Sequence, residues 1–226
     1  MKRGTLVQAA AQAYRRQPHL DGYTATPIFR GQSQGFVFTN DQEIIIAFRG
    51  TEGDNLFDWW TDLKFRKRAI PDIPGKWHRG FVAATHQLTL QLLSRVHFSA
   101  KSRRVYITGH SMGAAMAGIF AAYLTRMDLD KYVYGIALFG SPRFANKEAA
   151  EWLSSTYRGL LHRWSVIGDR ITGVPPASFG FRHVGENHEL TGPKRTWVDR
   201  VKIVSQRLMR WKHHGIKTYV KKIEEL

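Results

Sequence analysis

Apolar positions along the chain switch repeatedly between two spacings. Residues 35–39 (GFVFT) and 43–48 (EIIIAF) are short runs of β-branched and aromatic side chains, and Asn40 with Asp41 between them predicts a hairpin. Residues 81–96 repeat apolar side chains at the spacing of one helix face. Beyond them the pattern predicts a strand over 104–108, a helix over 114–127, a strand over 132–139, a helix over 147–157 and a strand over 161–167. Strands alternating with helices imply an α/β fold, a mostly parallel sheet with helices on both faces. Residues 1–14 predict a surface helix packed through Leu6, Ala10 and Tyr14. Near the other end Trp197, Val201, Val204, Leu208 and Trp211 fall on one face of a helix, with Arg200, Lys202, Arg207, Arg210 and Lys212 on the rest. That stripe is expected to pack on the domain. Internal repeats, long linkers and low-complexity tracts are absent, so one domain over 1–226 is expected.

Composition narrows the function classes only partly. A chain that is 43% hydrophobic and 12% aromatic has the material for an ordinary core. Its 34 Lys and Arg against 18 Asp and Glu could attract nucleic acid, an anionic membrane or an acidic substrate. No zinc-ligand spacing or RNA-recognition motif accompanies the charge, so nucleic acid is not an expected partner, whereas an anionic lipid surface is kept as one. Without cysteine there are no disulfides, thiolate nucleophiles or Cys-ligated zinc. Lys2, Arg3 and the Ala-Gln-Ala of 11–13 have some look of a signal peptide, but Gln8 and Gln12 interrupt the apolar portion and none is expected. No run of apolar residues is long enough to predict a transmembrane helix. A cytoplasmic location, or export without a signal peptide, follows as an expectation.

The stretch VYITGHSMGAAMAGIF, residues 105–120, changes this picture because it runs from a strand through Gly-His-Ser-Met-Gly into an alanine-rich helix. A sharp strand-to-helix turn strains its middle residue and needs small neighbours two positions to either side. Gly109 and Gly113 meet that need, and Ser111 is lifted clear of the sheet as a nucleophile would be. The Met112 amide, at the helix start, points to where a carbonyl oxygen would become negative. Serine requires a base and an acid that orients it, in the order Ser, Asp or Glu, His. Asp169 follows the strand 161–167, the place where such a sheet presents an acid, while Asp128 and Asp130 come too soon. Of ten histidines, four follow Asp169: His183, His188, His213 and His214.

The order of AFRGT (47–51), WHRGF (77–81), GHSMGAAMA (109–117), FGSPR (139–143) and GDRITGVPP (168–176) resembles the class 3 lipases of the α/β-hydrolase fold. That family includes fungal triacylglycerol lipases, feruloyl esterases and plant phospholipases A1, and the likeness runs over about residues 5–221. It implies a serine carboxylic ester hydrolase, most simply a lipase on acylglycerols, with phospholipase A1 or feruloyl-type esterase as alternatives, and no metal or organic cofactor. By the same resemblance Ser111 is the nucleophile, Asp169 the acid, and Thr51 an oxyanion donor beside Met112, with Asp62 orienting Thr51. His78 and His110 read as structural. HGIKTY (214–219) is similar to the family's pattern around its base, which selects His214 over its main competitor His188, with His213 a solvated neighbour. Met112 stands where the family usually has leucine and Ala114 where it often has glycine, both changes that keep an apolar or small position. EGDNLFDWWTDLK (52–64) occupies the position of the family's lid. Leu56, Phe57, Trp59 and Trp60 each gain roughly 1.5–3 kcal/mol from burial, so they are expected to cover an acyl groove or meet a lipid surface. Oligomeric state is not indicated.

Overall fold

In the computed structural model, residues 2–51, 65–99, 102–191 and 214–226 are described. The architecture follows from the strand that the sequence makes most apolar. Every residue of β3 (Glu43–Phe48) is buried, as both-face covering demands. Ile44, Ile46 and Phe48 enter one hydrophobic core while Ile45 and Ala47 enter the other, the period-two alternation of a strand. Glu43, the one charge in this strand, is satisfied by Lys2 Nζ at 2.6 Å, Arg104 at 3.0 Å and the Tyr23 hydroxyl at 2.6 Å.

Among the described residues seven strands form the main sheet, in the order β1-β2-β3-β6-β7-β8-β9. β1 (Thr24–Arg30), β2 (Ser33–Thr39) and β3 are antiparallel neighbours. From β3 outward the pairs with β6 (Arg104–His110), β7 (Val133–Phe139), β8 (Leu161–Val166) and β9 (Glu186–Leu190) are all parallel. α1 (Arg3–Gln12) comes first in the chain, then α2 (Arg79–Ser99), α3 (Met112–Thr125), α4 (Lys147–Thr156) and α5 (Ile216–Glu224). α2, α3 and α4 pack on one face around Phe81, Leu92, Phe120 and Leu153. α1 and α5 pack on the other, where Leu6, Val7, Ala10, Tyr219 and Ile223 meet Tyr106, Phe139 and Trp164. Among the described residues no helix is long and apolar enough to cross a membrane.

The hairpin, the α/β alternation and the N-terminal helix are present where the hydrophobic pattern predicts them, with ends shifted by a few residues. Three features went unread in the pattern. β1 lies at the sheet edge, largely exposed and interrupted by Pro27, so it shows no clean alternation. β4 (Lys67–Ile70) and β5 (Ile73–His78) make a separate antiparallel ribbon in a stretch that carries Pro74 and Gly75. β9, ENHEL, is polar and mostly exposed, and owes its place to pairing with β8. The helix expected around 197–211 lies outside the described residues.

Candidate active site

Ser111 sits between the end of β6 and the start of α3 with φ 60° and ψ −128°, a conformation that costs a side-chain-bearing residue about 1–3 kcal/mol. The surrounding backbone holds it there. Its N–H donates to Phe139 O at 3.0 Å, and its carbonyl accepts from Ala114 N at 3.0 Å. A Cβ on Gly109 would lie 2.3 Å from Gly113 O, and one on Gly113 only 2.2 Å from Phe48 O. The two glycines therefore let strand, helix and the neighbouring β3 close on the turn, as the Gly-x-Ser-x-Gly spacing predicts.

Asp169 follows β8 in a tight turn closed by its own N–H to Val166 O at 3.0 Å, and its side chain is fully buried. Three donors converge on the carboxylate: Ile171 N–H on Oδ1 at 2.9 Å, and on Oδ2 the Tyr219 hydroxyl at 2.6 Å and His214 Nδ1 at 2.8 Å. A carboxylate only accepts, so His214 Nδ1 carries the proton of this bond, and the neutral form of the ring presents its lone pair at Nε2. The Tyr219 hydroxyl is held protonated, because burial and then the Asp169 charge push its pKa well above the ordinary tyrosine value. Ser111 Oγ and His214 Nε2 are both buried and have no hydrogen-bond partner among the described residues.

His110, inside the turn, ties it to the segment that carries His214. Its Nε2 donates to the His214 carbonyl at 2.6 Å, which leaves Nδ1 to accept from the Tyr14 hydroxyl at 2.9 Å. Burial, and then the nearby His214, keep its pKa well below the ordinary histidine value, so this ring stays neutral. His78 is buried against Phe81, its ring centroid 4.4 Å away, and desolvation lowers its pKa to about 4. His183 and His188 are not among the partners of Asp169. Burial and then Arg163 take His183 to about 3, and His188 lies on β9 stacked on Trp164 at 4.3 Å. His213 lies outside the described residues.

Thr51 and Met112 line one groove of about 620 Å³, shared with Gly80, Ala84, Gln34 and Gln87. The Thr51 hydroxyl faces Met112 Sδ at 3.7 Å. Gly50 brings this segment against the turn: a Cβ there would stand 2.6 Å from His110 O and 3.2 Å from Ser111 Cβ. Asp62, Leu56, Phe57, Trp59 and Trp60, with the whole stretch 52–64, lie outside the described residues. Two contacts escaped the reading of the sequence, Tyr219 on Asp169 and Tyr14 on His110. The signal for the first was present, since Tyr219 closes the HGIKTY motif.

Comparison with known proteins follows the same residues. Residues 45–179, from β3 through Ser111 to the turn beyond Asp169, match the family Lipase (class 3). A lipase of Rhizomucor miehei is 31% identical over 159 residues, which cover 67% of this chain and 43% of that protein. Secreted mono- and diacylglycerol lipase 1 of Fusarium solani is 28% identical over 155 residues, covering 67% of this chain and 45% of its own length. The chain thus spans less than half the length of these relatives. Among solved structures, lipase II from Rhizopus niveus superposes with a TM-score of 0.71 at 24% identity over 83% of this chain and 79% of that one. A fungal lipase–inhibitor complex reaches 0.73 at 21% identity over 96% and 94%. The shared architecture is the α/β-hydrolase fold, and a match that takes in β3, the serine turn and the acid makes this chain a member of the class 3 lipase family.

Proposed function

We propose that the chain is a serine carboxylic ester hydrolase that cleaves acylglycerols through an acyl-enzyme, with Ser111 as nucleophile, His214 as base and Asp169 as the acid that orients it. One observation carries this reading. A strained serine and a histidine ring nitrogen, both buried and both without a partner among the described residues, accompany a histidine–carboxylate bond of 2.8 Å. Each orphaned polar group costs about 1–3 kcal/mol, and a site shaped only for stability would satisfy them. Serine–base hydrogen bonds are commonly long before substrate binds.

In the reaction Ser111 Oγ attacks the ester carbonyl and its proton passes to His214 Nε2. The imidazolium so formed is stabilised by Asp169, while the oxyanion accepts from the backbone N–H groups of Met112 and Thr51. Met112 is the first residue of α3, so its amide is free of the helix ladder and lies at the positive end of the helix dipole. His214 then gives the proton to the departing alcohol. Water, deprotonated by the same Nε2, attacks the acyl-enzyme and releases the carboxylic acid. The groove that starts at Thr51 and Met112 is the receiving space for one arm of the ester. Acylglycerols are favoured as substrate because relatives are named as a lipase and as a mono- and diacylglycerol lipase. The net charge of +16 supports action at an anionic lipid surface.

The test is labelling by a fluorophosphonate together with hydrolysis rates on p-nitrophenyl esters, a diacylglycerol, a phospholipid and a feruloyl ester. Labelling at Ser111, with turnover several orders of magnitude lower in Ser111→Ala and the fold intact by circular dichroism, is expected. A Ser111→Ala variant that keeps more than about a tenth of the activity on a simple ester overturns the mechanism. Preference for the phospholipid or the feruloyl ester overturns the substrate.

A further inference from the structure

Away from Ser111, β8 and β9 bring together a set of side chains that the hydrolytic site does not use. His162 stands opposite Glu186 and Trp164 opposite His188 in the parallel register, so His162, Glu186 and His188 project from one face of two adjacent strands. His162 Nδ1 is 2.8 Å from His188 Nε2 and 3.5 Å from Glu186 Oε2, and His188 Nε2 is 3.9 Å from Glu186 Oε1. The geometry points to a site for a divalent transition-metal ion, best met by Zn²⁺, that clips the edge strand β9 to β8.

Four features carry this assignment. At Zn–N and Zn–O bonds of about 2.0–2.1 Å, the corners of a tetrahedron lie about 3.3 Å apart. The observed separations bracket that value, so an ion at the centre needs only sub-ångström adjustment. His162 Nε2 faces the Gly159 carbonyl at 3.2 Å, which fixes the proton on that nitrogen and turns the Nδ1 lone pair inward, the outer hydrogen bond that metal-bound histidines ordinarily make. The His188 ring is held by stacking on Trp164 at 4.3 Å and 19°, so its Nε2 stays directed at the cluster. The inward-turned Nδ1 makes His188 Nε2 the donor of the 2.8 Å bond; on ligation its proton moves to the other ring nitrogen, and no charge need be shed.

Exposure supplies the entry path. The side chains of His162, His188 and Glu186 are 15%, 29% and 61% exposed, which leaves the fourth position open to water. Two imidazoles with one carboxylate select Zn²⁺ and its transition-series neighbours over Mg²⁺ or Ca²⁺, which take oxygen ligands. Asp169 follows the C-terminal end of β8, whereas His162 lies near its start, so the ion would be a clip between strands and no participant in ester cleavage. Nothing in the sequence marks a metal site there, because His162 on β8 is far in the chain from Glu186 and His188 on β9, and the three form no recognisable ligand spacing.

The test needs no turnover. Tag-free, chelator-stripped chain is titrated with Zn²⁺ by calorimetry, and with Co²⁺ by visible absorption, alongside thermal unfolding. One equivalent of Zn²⁺ per chain is expected, with Tm raised by roughly 5–10 °C at about a hundred times Kd. Glu186→Gln, a change at a largely exposed carboxylate, should weaken binding at least tenfold, and His188→Ala should remove the equivalent together with the Tm shift. His19→Ala, at an exposed histidine paired with Asp21, should leave both unchanged. No stoichiometric uptake by the unaltered chain means that His162 and His188 are a hydrogen-bonded pair only, and overturns the site. Uptake that survives both Glu186→Gln and His188→Ala places the ion elsewhere and overturns it equally.

Discussion

Tyr219→Phe isolates a single hydroxyl in the middle of the candidate active site. The ring is fully buried and packs edge-on against Phe139 and His110, so phenylalanine keeps the packing and deletes only the oxygen. Two hydrogen bonds go with it. The donation to Asp169 Oδ2 at 2.6 Å is charge-assisted and is worth about 1.5–3 kcal/mol. The bond accepted from Val166 N–H at 3.2 Å leaves a buried donor orphaned, a further cost of about 1–3 kcal/mol. Asp169 keeps Ile171 N–H and His214, so the carboxylate is not abandoned and the loss should settle near 3–5 kcal/mol. For a chain of this size that lowers Tm by roughly 10 °C, and urea unfolding measures it directly. Activity should respond differently. With the His214–Asp169 bond still in place, kcat on a p-nitrophenyl ester should fall well short of the ~10⁴-fold that follows loss of the acid's function, and KM should hold. A stability loss under about 1 kcal/mol would refute the converging-donor account of Asp169.

Among the histidines, His214→Ala should cut the acylation rate by several powers of ten while His188→Ala leaves it nearly unchanged; the reverse pattern in stopped-flow acylation would remove His214 from its assigned role. Acid should weaken the fold before the carboxylates titrate. His78 has a folded pKa of about 4 against an ordinary value near 6.5, so the unfolded chain binds the extra proton and stability is lost as pH falls through that window. Linkage gives about 2 kcal/mol from His78 alone between pH 7 and pH 5, and His110 and His183 act in the same direction, so equal urea midpoints at the two pH values would contradict the burial argument. Binding to vesicles should strengthen with anionic lipid and weaken with added salt, as screening requires; equal flotation with neutral and anionic vesicles at low salt would discard the electrostatic contribution.

How much could be read without coordinates depended on how local each cause was. β3 and β6 are covered on both faces, so the apolar runs within them, residues 44–48 and 105–107, are visible in the sequence. The residues of β9 are mostly polar and exposed, and no hydrophobic alternation in ENHEL marks a strand until β8 lies beside it. The same division holds within the site. Ser111 is set by the two glycines that flank it, a requirement written in five consecutive residues. Asp169 is set by a turn at a strand end, also local. The proposed base is less local, since four histidines follow Asp169, the resemblance of HGIKTY selects His214, and only the fold of α5 against β8 brings it to the carboxylate. Tyr14, legible only as a packing residue of the first helix, reaches His110 because α1 lies across the end of β6. No spacing encodes that.

The five residues 109–113 show what this local writing costs and what supports it. Strain at Ser111 and two polar atoms unpartnered among the described residues, Ser111 Oγ and His214 Nε2, together stand against stability by several kcal/mol. They persist because their surroundings leave no cheaper arrangement. Gly109 and Gly113 admit the neighbouring backbone at distances that a Cβ would forbid, Phe139 O holds the Ser111 amide, and α3 behind it is buried along nearly its whole length. His110 adds the connection to the other half of the site. It is neutral and accepts from Tyr14 while donating to the His214 carbonyl, so the turn that raises the serine also fixes the backbone that carries the histidine. A local rule is broken at Ser111 because strand, helix and two side-chain hydrogen bonds over-determine it, and the broken rule leaves a hydroxyl and a lone pair free to react.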